Sequence, residues 1–369
     1  MNNTRLLMGF ILGLVIAAIG FPLNVFAQEA TDDFVSGNVG KRAFLKGNYE
    51  EAERYFREAL RDAEAANATP GRMATILGNL AQVLASQGRF REAEELFDRA
   101  LKVEESAPVD PRVRTILLLN LSALYSNTDR LGRSESLLDE VVVLCRKHFG
   151  PDSQELASAL KKQGIVYAMT KRVNRAETRL KEALAIAERN SAYPPEELAT
   201  ILTSLAGTYS LQKKWSRAEM LLLRAVDLFE RSFGPDHPGI SDAMVNLGEQ
   251  NIQQRDFVGA EAAFRRALSI RQAAFGRDRI EAVRVATRLA TVLTALKKNE
   301  EAYSLFAASL PVQERILGAE APEVASSLEQ FGKLLRQMQD TSRAETVEAR
   351  ARSIRDTLAY TVSVDDLRK

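Results

Sequence analysis

The chain has 369 residues, more than one compact hydrophobic core normally supports. Hydrophobic residues make up 46% of the chain and charged residues 27%, which is ordinary for a folded protein. Its 50 basic and 49 acidic residues give a formal net charge of +1. With so little net charge, no overall field attracts nucleic acid or an anionic membrane, so the sequence predicts no nucleic-acid partner.

The first 27 residues have the pattern of a secretory signal peptide. An early arginine is followed by an apolar run, by Pro22 and by a cleavage site that ends at Ala27. No cysteine lies at that site, which argues against a lipid anchor. The alternative is an uncleaved anchor, because residues 6–26 carry no charge and are long enough to span a bilayer. Either way we expect an exported chain, periplasmic or extracellular, or one tethered to the membrane through an uncleaved N-terminal segment.

The rest of the chain is a repeat. A small residue, followed by an acidic residue in all but one case, recurs every 41 or 42 residues, at Ala52, Ala93, Ser134, Ala176, Ala218, Ala260, Ala302 and Ala344. A constant period of this length is typical of a solenoid, in which each unit buries its apolar face against its neighbours.

Two helices per unit follow from the spacing of small and large residues. We number each unit from nineteen residues before its marker, which places the marker at position 20. Position 8 is small in every unit, and position 24 is Phe or Leu in all units except the last, which has Glu348. Positions 20, 24 and 27 share one face of a helix, as do positions 4, 7, 8 and 11 of an earlier helix. Short polar turns, such as Gln87-Gly88-Arg89, separate the two, so each unit is predicted to be a helix-turn-helix hairpin.

Between hairpins, the chain carries linkers such as Phe233-Gly234-Pro235-Asp236-His237-Pro238. Glycine after the last apolar residue is a helix C-cap, and the proline and aspartate turn the chain and cap the next helix. Small residues at 8, 20 and 27 with this linker resemble the tetratricopeptide repeat, in its 42-residue kinesin-light-chain type, here of an exported bacterial kind. The resemblance covers residues 33–358. It implies an all-α fold, an α-α superhelix of about eight helix-turn-helix repeats.

The predicted solenoid spans residues 28–360, and residues 361–369 are predicted to be a loose tail. The eighth unit departs from the core pattern, with Glu348 and Arg352 at positions that are apolar elsewhere. A polar last helix is what a solenoid needs in order to end in water.

No catalytic or metal-binding constellation is evident. His148 and His237 are the only histidines, Cys145 is the only cysteine, and no glycine-rich phosphate loop is present. We therefore predict no enzyme activity, no metal and no cofactor. Paired acids such as Glu94-Glu95 recur at the starts of second helices, where they favourably meet the helix dipole.

Position 6 of the first helix is polar in every repeat: Asn38, Asn79, Asn120, Lys162, Ser204, Asn246, Arg288 and Gln330. The resemblance implies that this column faces the concave groove, where an asparagine can offer both a donor and an acceptor to an extended peptide. The four positions without asparagine depart from that pattern. The alternative is a polar helix face held by contacts between neighbouring first helices.

Two basic clusters extend this column. Arg284 and Arg288 lie one helical turn apart in repeat seven, and Lys161 and Lys162 are adjacent in repeat four. Either cluster could hold a carboxylate of a partner, and the alternative is solvated surface charge.

The predicted function is thus a non-enzymatic scaffold that binds a protein or peptide partner in the groove. The alternative is a structural component of a cell-envelope or secretion assembly that packs by its convex face or its ends. Exposed apolar residues on second helices would favour that alternative.

Overall fold

The computed structural model describes residues 35–45, 47–106 and 109–367. The predicted signal peptide, residues 1–27, and the first residues of the predicted solenoid lie outside this range. Every regular element in the described residues is a helix, which confirms the predicted all-α fold of helix-turn-helix repeats. The helices fall into two compact units that divide between Gln212 and Lys213.

The first unit contains nine helices in its described residues: α1 (Val35–Leu45), α2 (Tyr49–Ala65), α3 (Pro70–Ser86), α4 (Phe90–Glu105), α5 (Pro111–Asn127), α6 (Leu131–His148), α7 (Gln154–Met169), α8 (Val173–Arg189) and α9 (Pro195–Leu211). Odd-numbered helices are the first helices of their repeats. Each helix packs on the next, and the first helices α3 and α5 also touch, as do α7 and α9.

The second unit contains α10 (Trp215–Phe233), α11 (Pro238–Gln253), α12 (Phe257–Phe275), α13 (Ile280–Ala295), α14 (Asn299–Leu317), α15 (Pro322–Gln337) and α16 (Thr341–Leu367). Each of these helices also packs on the next, and the first helices α13 and α15 touch. Repeat five therefore contributes α9 to one unit and α10 to the other.

In each repeat, the residue at position 15 lies in the turn between the two helices and has a positive backbone φ. This residue is glycine in the first two repeats, Gly47 and Gly88. It carries a side chain in the other six, for example Lys171 with φ 62°. Between repeats, Gly150, Gly234, Gly276 and Gly318 have φ between 88° and 91°, as expected for the predicted C-cap glycines. The N-cap of α11 is His237 and not the predicted Asp236, and the Nδ1 of His237 accepts a hydrogen bond from the Gly239 amide.

The predicted pairing of a small residue at position 8 with a large one at position 24 is the centre of each hairpin. A Cβ added to Gly248 would lie 2.8 Å from the ring of Phe264, and one added to Gly164 would lie 2.6 Å from Leu180. The two backbones approach so closely that the side chain of position 24 fills the space above the glycine.

The lone cysteine, Cys145, lies in the apolar core of the first unit, and burial raises the pKa of its thiol to about 12.

Acidic residues at the starts of second helices do more than meet the helix dipole. Glu94 accepts hydrogen bonds from Arg130 of the following repeat at 2.8 and 2.7 Å, and Glu135 accepts one from Arg172 at 2.8 Å. The same positions pair in repeats one and two through Glu53 and Arg89. These ion pairs join one repeat to the next, a contact that the sequence analysis did not identify.

The last helix differs from the prediction at its end. The helix α16 continues to Leu367, beyond residue 360, where the sequence analysis ends the solenoid and begins a loose tail. No glycine or proline occurs between Thr341 and Leu367, so nothing in this stretch stops a helix. Glu348, in the core position, is held by Arg336 through two hydrogen bonds of 2.7 Å.

Candidate partner-binding site

Two asparagines of the position-6 column lie together in the first unit. Asn79 of α3 and Asn120 of α5 are buried, with 6% and 2% of their surface exposed, and both line one small pocket with Thr75 and Ile116. In the described residues neither side chain has a hydrogen-bond partner, and the Oδ1 of Asn120 is completely buried. Buried amides in folded proteins are nearly always bonded, so these two side chains have hydrogen-bonding capacity that the described residues leave unused.

Two further amides extend the same helix faces and were missed by the sequence analysis. Gln82 follows Asn79 by three residues and is fully buried, and neither its Nε2 nor its Oε1 has a partner. Asn127 follows Asn120 by seven residues, and its Oδ1 is buried without a donor. Residues three and seven positions apart share a helix face, so positions 9 and 13 lie on the same side of the helix as position 6. We call Asn79, Gln82, Asn120 and Asn127 the amide cluster.

The two lysines of repeat four differ sharply in their surroundings. The Nζ of Lys161 donates to Oε2 of Glu197 at 2.7 Å and to Oγ1 of Thr200 at 2.9 Å. Lys162 is 9% exposed, and no carboxylate or hydrogen-bond acceptor pairs with it in the described residues. Burial, assisted by the charge of Lys161, lowers the pKa of Lys162 from its usual 10.5 to about 8.

The basic residues of repeat seven are already paired within the second unit. Arg284 binds Glu323 with Nε to Oε1 at 2.9 Å, and Arg288 binds Glu249 with Nη1 to Oε1 at 2.9 Å. With Lys161, three of the four basic residues predicted to hold a partner's carboxylate therefore hold one from their own chain. A partner's carboxylate would have to displace an existing ion pair at each of these three.

The remaining column residues vary. Ser204 donates to the backbone oxygen of Thr200 at 2.8 Å, and Gln330 accepts from Lys333 at 3.3 Å. Asn246 is half-buried, with no hydrogen bond from the described residues, and Asn38 is half-buried in α1. The structure thus separates the column into residues that are bonded within the described chain and residues that have no bond there, namely Asn79, Asn120, Lys162 and Asn246.

Large apolar side chains are exposed on second helices. Each one of the described residues in this class lies there: Tyr49, Val143, Met220, Leu223, Phe233, Val258, Phe275 and Ile316. Val143 and Val258 are the most open, at 65% and 69%. This is the observation expected for a chain that packs by its second helices.

Other kinds of site have little support in the part of the chain that the structure describes. Those residues bring together no group of three histidine, cysteine, aspartate or glutamate side chains that could hold a metal ion. Among the described helices, none combines the length and apolar character needed to cross a membrane.

Comparison with known proteins identifies the repeat. The sequence profile of the tetratricopeptide repeat matches residues 36–106, 113–189, 197–273 and 281–357. A search of curated proteins finds no match.

Several solved structures share the fold. BtubC (BKLC) from P. vanneervenii is 19% identical, with a TM-score of 0.55 over 63% of this chain and 92% of its own. A Rap protein complexed with Competence and Sporulation Factor is 13% identical, with a TM-score of 0.56 over 88% of this chain and 98% of its own. A signal transduction ATPase with a tetratricopeptide repeat sensor, from Pyrococcus horikoshii, is 13% identical, with a TM-score of 0.62 over 96% of this chain and 53% of its own. At these identities the likeness concerns the fold alone.

Proposed function

The chain belongs to the tetratricopeptide repeat family, and from this membership we propose that it is a non-enzymatic protein-interaction scaffold that binds an extended peptide or a partner helix along its first helices. Repeated first helices offer a long surface on which successive side chains meet successive parts of a ligand. The observation that carries this proposal is the pair of Asn79 and Asn120, which line one small pocket of α3 and α5 and have no hydrogen-bond partner within the described chain.

The chemistry of the amide cluster suits a peptide backbone. Each amide presents an NH₂ donor and a carbonyl acceptor, which match the C=O and N–H groups of an extended chain. A buried amide without a partner costs about 1–3 kcal/mol, so a ligand that supplies the partner gains that free energy on binding. An apolar partner would leave the cost in place, which favours a polar backbone over an apolar helix face as the ligand.

A triple substitution tests the role of the asparagines. We expect Asn79, Asn120 and Asn246 changed together to Ala to leave helicity intact, because alanine is the better helix former by a few tenths of a kcal/mol or more at each site. Binding of the partner should weaken, since the donors and acceptors are gone. Circular dichroism measures the first result, and the yield of in-cell crosslinks to a tagged chain measures the second. Asn174, exposed on α8, changed to Ala is the matched control. Loss of helicity in the triple variant would mean that the column is structural.

Site-specific photo-crosslinking separates the proposed function from its alternative. Ile116 of α5 lines the pocket of Asn79 and Asn120, whereas Val143 of α6 is exposed on the second helix of the same repeat. A photo-reactive residue at position 116 is expected to capture the partner. Capture at position 143 alone, or self-contacts alone, would contradict binding along the first helices.

A second candidate function is a structural component of a cell-envelope or secretion assembly that packs by its second helices. The exposed apolar side chains of those helices favour it. Burial of such residues in an interface is favourable by about 25 cal/mol per Å² of apolar surface. The crosslink at Val143 tests this candidate directly.

We also propose that the chain acts outside the cytoplasm. Support comes from the sequence of residues 1–27, with its apolar run and cleavage pattern. We expect the mature chain purified from its natural cells to begin at Gln28, as measured by intact mass and N-terminal sequencing. A full-length chain in the membrane fraction would indicate the uncleaved anchor, and a full-length chain in the cytoplasm would contradict export.

A further inference from the structure

The turns within the hairpins of the second unit carry a row of exposed cations. Position 15 is Lys213 before α10, Arg255 before α12 and Lys297 before α14. None of the three has an ion pair in the described residues. We propose that this row, which we call the basic edge, adsorbs to a lipid surface that carries anionic head groups. This inference goes beyond the proposed function, because it concerns the hairpin turns and not the first helices.

The basic edge presents its charges at the ends of neighbouring hairpins. Lys213, Arg255 and Lys297 have nearly the same backbone conformation, with φ of 59°, 62° and 61°. Successive hairpins pack side by side, so these turns lie on the order of 10 Å apart. That spacing is about one Debye length at 0.1 M salt, so the three charges attract a shared surface together. A flat surface can reach the ends of the hairpins without entering the groove of the first helices.

Carboxylates close to the basic edge cancel its charge only in part. Glu261 binds the Nζ of Lys298 at 2.7 Å, and Asp256 caps the start of α12 through its Oδ1. Glu219 and Glu300 have no ion pair in the part of the chain that the structure describes, so both oppose adsorption.

The sign of the edge nevertheless remains positive. Residues 213–219, 255–256 and 297–301 contain six basic and four acidic residues. At the other end of the hairpins the linkers carry both signs in close succession, as in Asp236 and in Arg277-Asp278-Arg279. The overall charge of +1 therefore conceals a local excess of positive charge on one edge.

Apolar side chains accompany these cations and favour a bilayer over a soluble polyanion. Val258, three residues after Arg255, is 69% exposed, the most of any large apolar side chain in the described residues. Trp215 is half-buried two residues after Lys213. Basic residues beside apolar and aromatic ones are typical of proteins that lie at the interface of a membrane with water. Nucleic acid or an acidic peptide would use the cations but would give Val258 no apolar contact.

The position of these cations also has a structural advantage that a test must separate from binding. A positive charge just after the first helix of a hairpin is favourable with the helix dipole. Replacement by glutamine removes the charge and keeps a residue that this turn accepts, since Gln339 occupies position 15 of repeat eight with φ 65°. Circular dichroism and urea unfolding measure the structural contribution of the charges, and vesicle binding measures adsorption.

Sedimentation with vesicles tests this inference on the full mature chain. One set of vesicles is phosphatidylcholine alone, and the other contains about one third phosphatidylglycerol as the anionic lipid. The edge variant combines Lys213→Gln, Arg255→Gln and Lys297→Gln. The control variant makes the same change in net charge by removing three exposed cations at or near the linkers: Arg277→Gln, Arg279→Gln and Arg315→Gln.

We expect the native chain to adsorb to the anionic vesicles at low salt and to dissociate at about 0.5 M salt. Each basic residue near an anionic surface strengthens adsorption about fivefold, so the edge variant should bind about a hundredfold more weakly. The control variant should stay within about threefold of the native chain, because its cations lie at the other end of the hairpins.

Three results would overturn this inference. They are equal losses in the two variants, equal adsorption to both kinds of vesicle, and no adsorption of the native chain. Retention of the native chain on heparin without adsorption to vesicles would assign the basic edge to an acidic polymer and would also overturn it. The proposed function is independent of all these results, because the crosslink at position 116 tests it on another face of the repeats.

Discussion

Replacement of Lys162 by Met is expected to stabilise the protein by about 1–3 kcal/mol at pH 7, whereas replacement of the adjacent Lys161 by Met is expected to destabilise it by a similar amount or more. The two residues are both buried, at 9% and 7% exposure. They differ in that Lys161 forms an ion pair with Glu197, whereas Lys162 forms no ion pair in the described chain. Removal of Lys162 eliminates a buried charge that has no ion-pair partner in the described chain, whereas removal of Lys161 takes from Glu197 the cation that is hydrogen-bonded to it.

The dependence on pH follows from the lowered pKa of Lys162. In the folded chain this pKa is about 8 and in the unfolded chain it is near the usual 10.5. Below about pH 8 the lysine is protonated in both states, and the folded state bears the full cost of the charge, about 3 kcal/mol at ~1.4 kcal/mol per pKa unit. Between the two pKa values, the unfolded chain binds the proton and the folded chain does not, so stability rises with pH. The advantage of Lys162→Met should therefore be largest below pH 8 and disappear above about pH 10.5.

Urea unfolding of the native chain and both variants at pH 7 and at pH 10.5 measures these differences. Comparison with the native chain at each pH cancels the titration of other groups. A destabilising Lys162→Met at pH 7 would show that the ammonium has a stabilising partner, which would contradict this prediction.

Phe264→Ala is expected to destabilise the second unit by about 3–5 kcal/mol, the usual cost of removing a buried phenylalanine. Phe264 is fully buried at position 24 of repeat six, and its ring lies directly over Gly248 of the preceding helix. Loss of the ring removes its buried surface and leaves a cavity between α11 and α12. Circular dichroism during urea unfolding measures the change.

Phe275, 45% exposed at the end of the same helix, is the matched control. Phe275→Ala should cost less than about 1 kcal/mol, because little apolar surface returns to water. The contact with Gly248 gives a second check. Gly248→Ala places a Cβ 2.8 Å from the ring of Phe264 and should be less costly in the Phe264→Ala background. Equal costs in both backgrounds would contradict the proposed packing of positions 8 and 24.

Much of the fold could be predicted because the determinants of a repeat are local. Small residues at position 8 and large ones at position 24 recur at fixed spacing, and they meet in the structure, as Gly164 meets Leu180. Helix ends were predictable for the same reason, since a glycine such as Gly234 combines a φ of 91° with a ψ of 169°, a conformation that residues with side chains resist. The extension of α16 to Leu367 was not predicted, because a sequence without glycine or proline permits a helix but gives no sign of where it stops.

The candidate site was predicted only in part. The sequence alone determined that position 6 is polar in every repeat, since period and residue type are visible without coordinates. Which of those residues is already bonded within the described chain was decided by the tertiary structure. Lys161 and Lys162 are neighbours of the same type, yet one pairs with Glu197, 36 residues away, and the other does not. Pairing across repeats depends on the distance between side chains on different helices, and that distance exists only after the helices have packed.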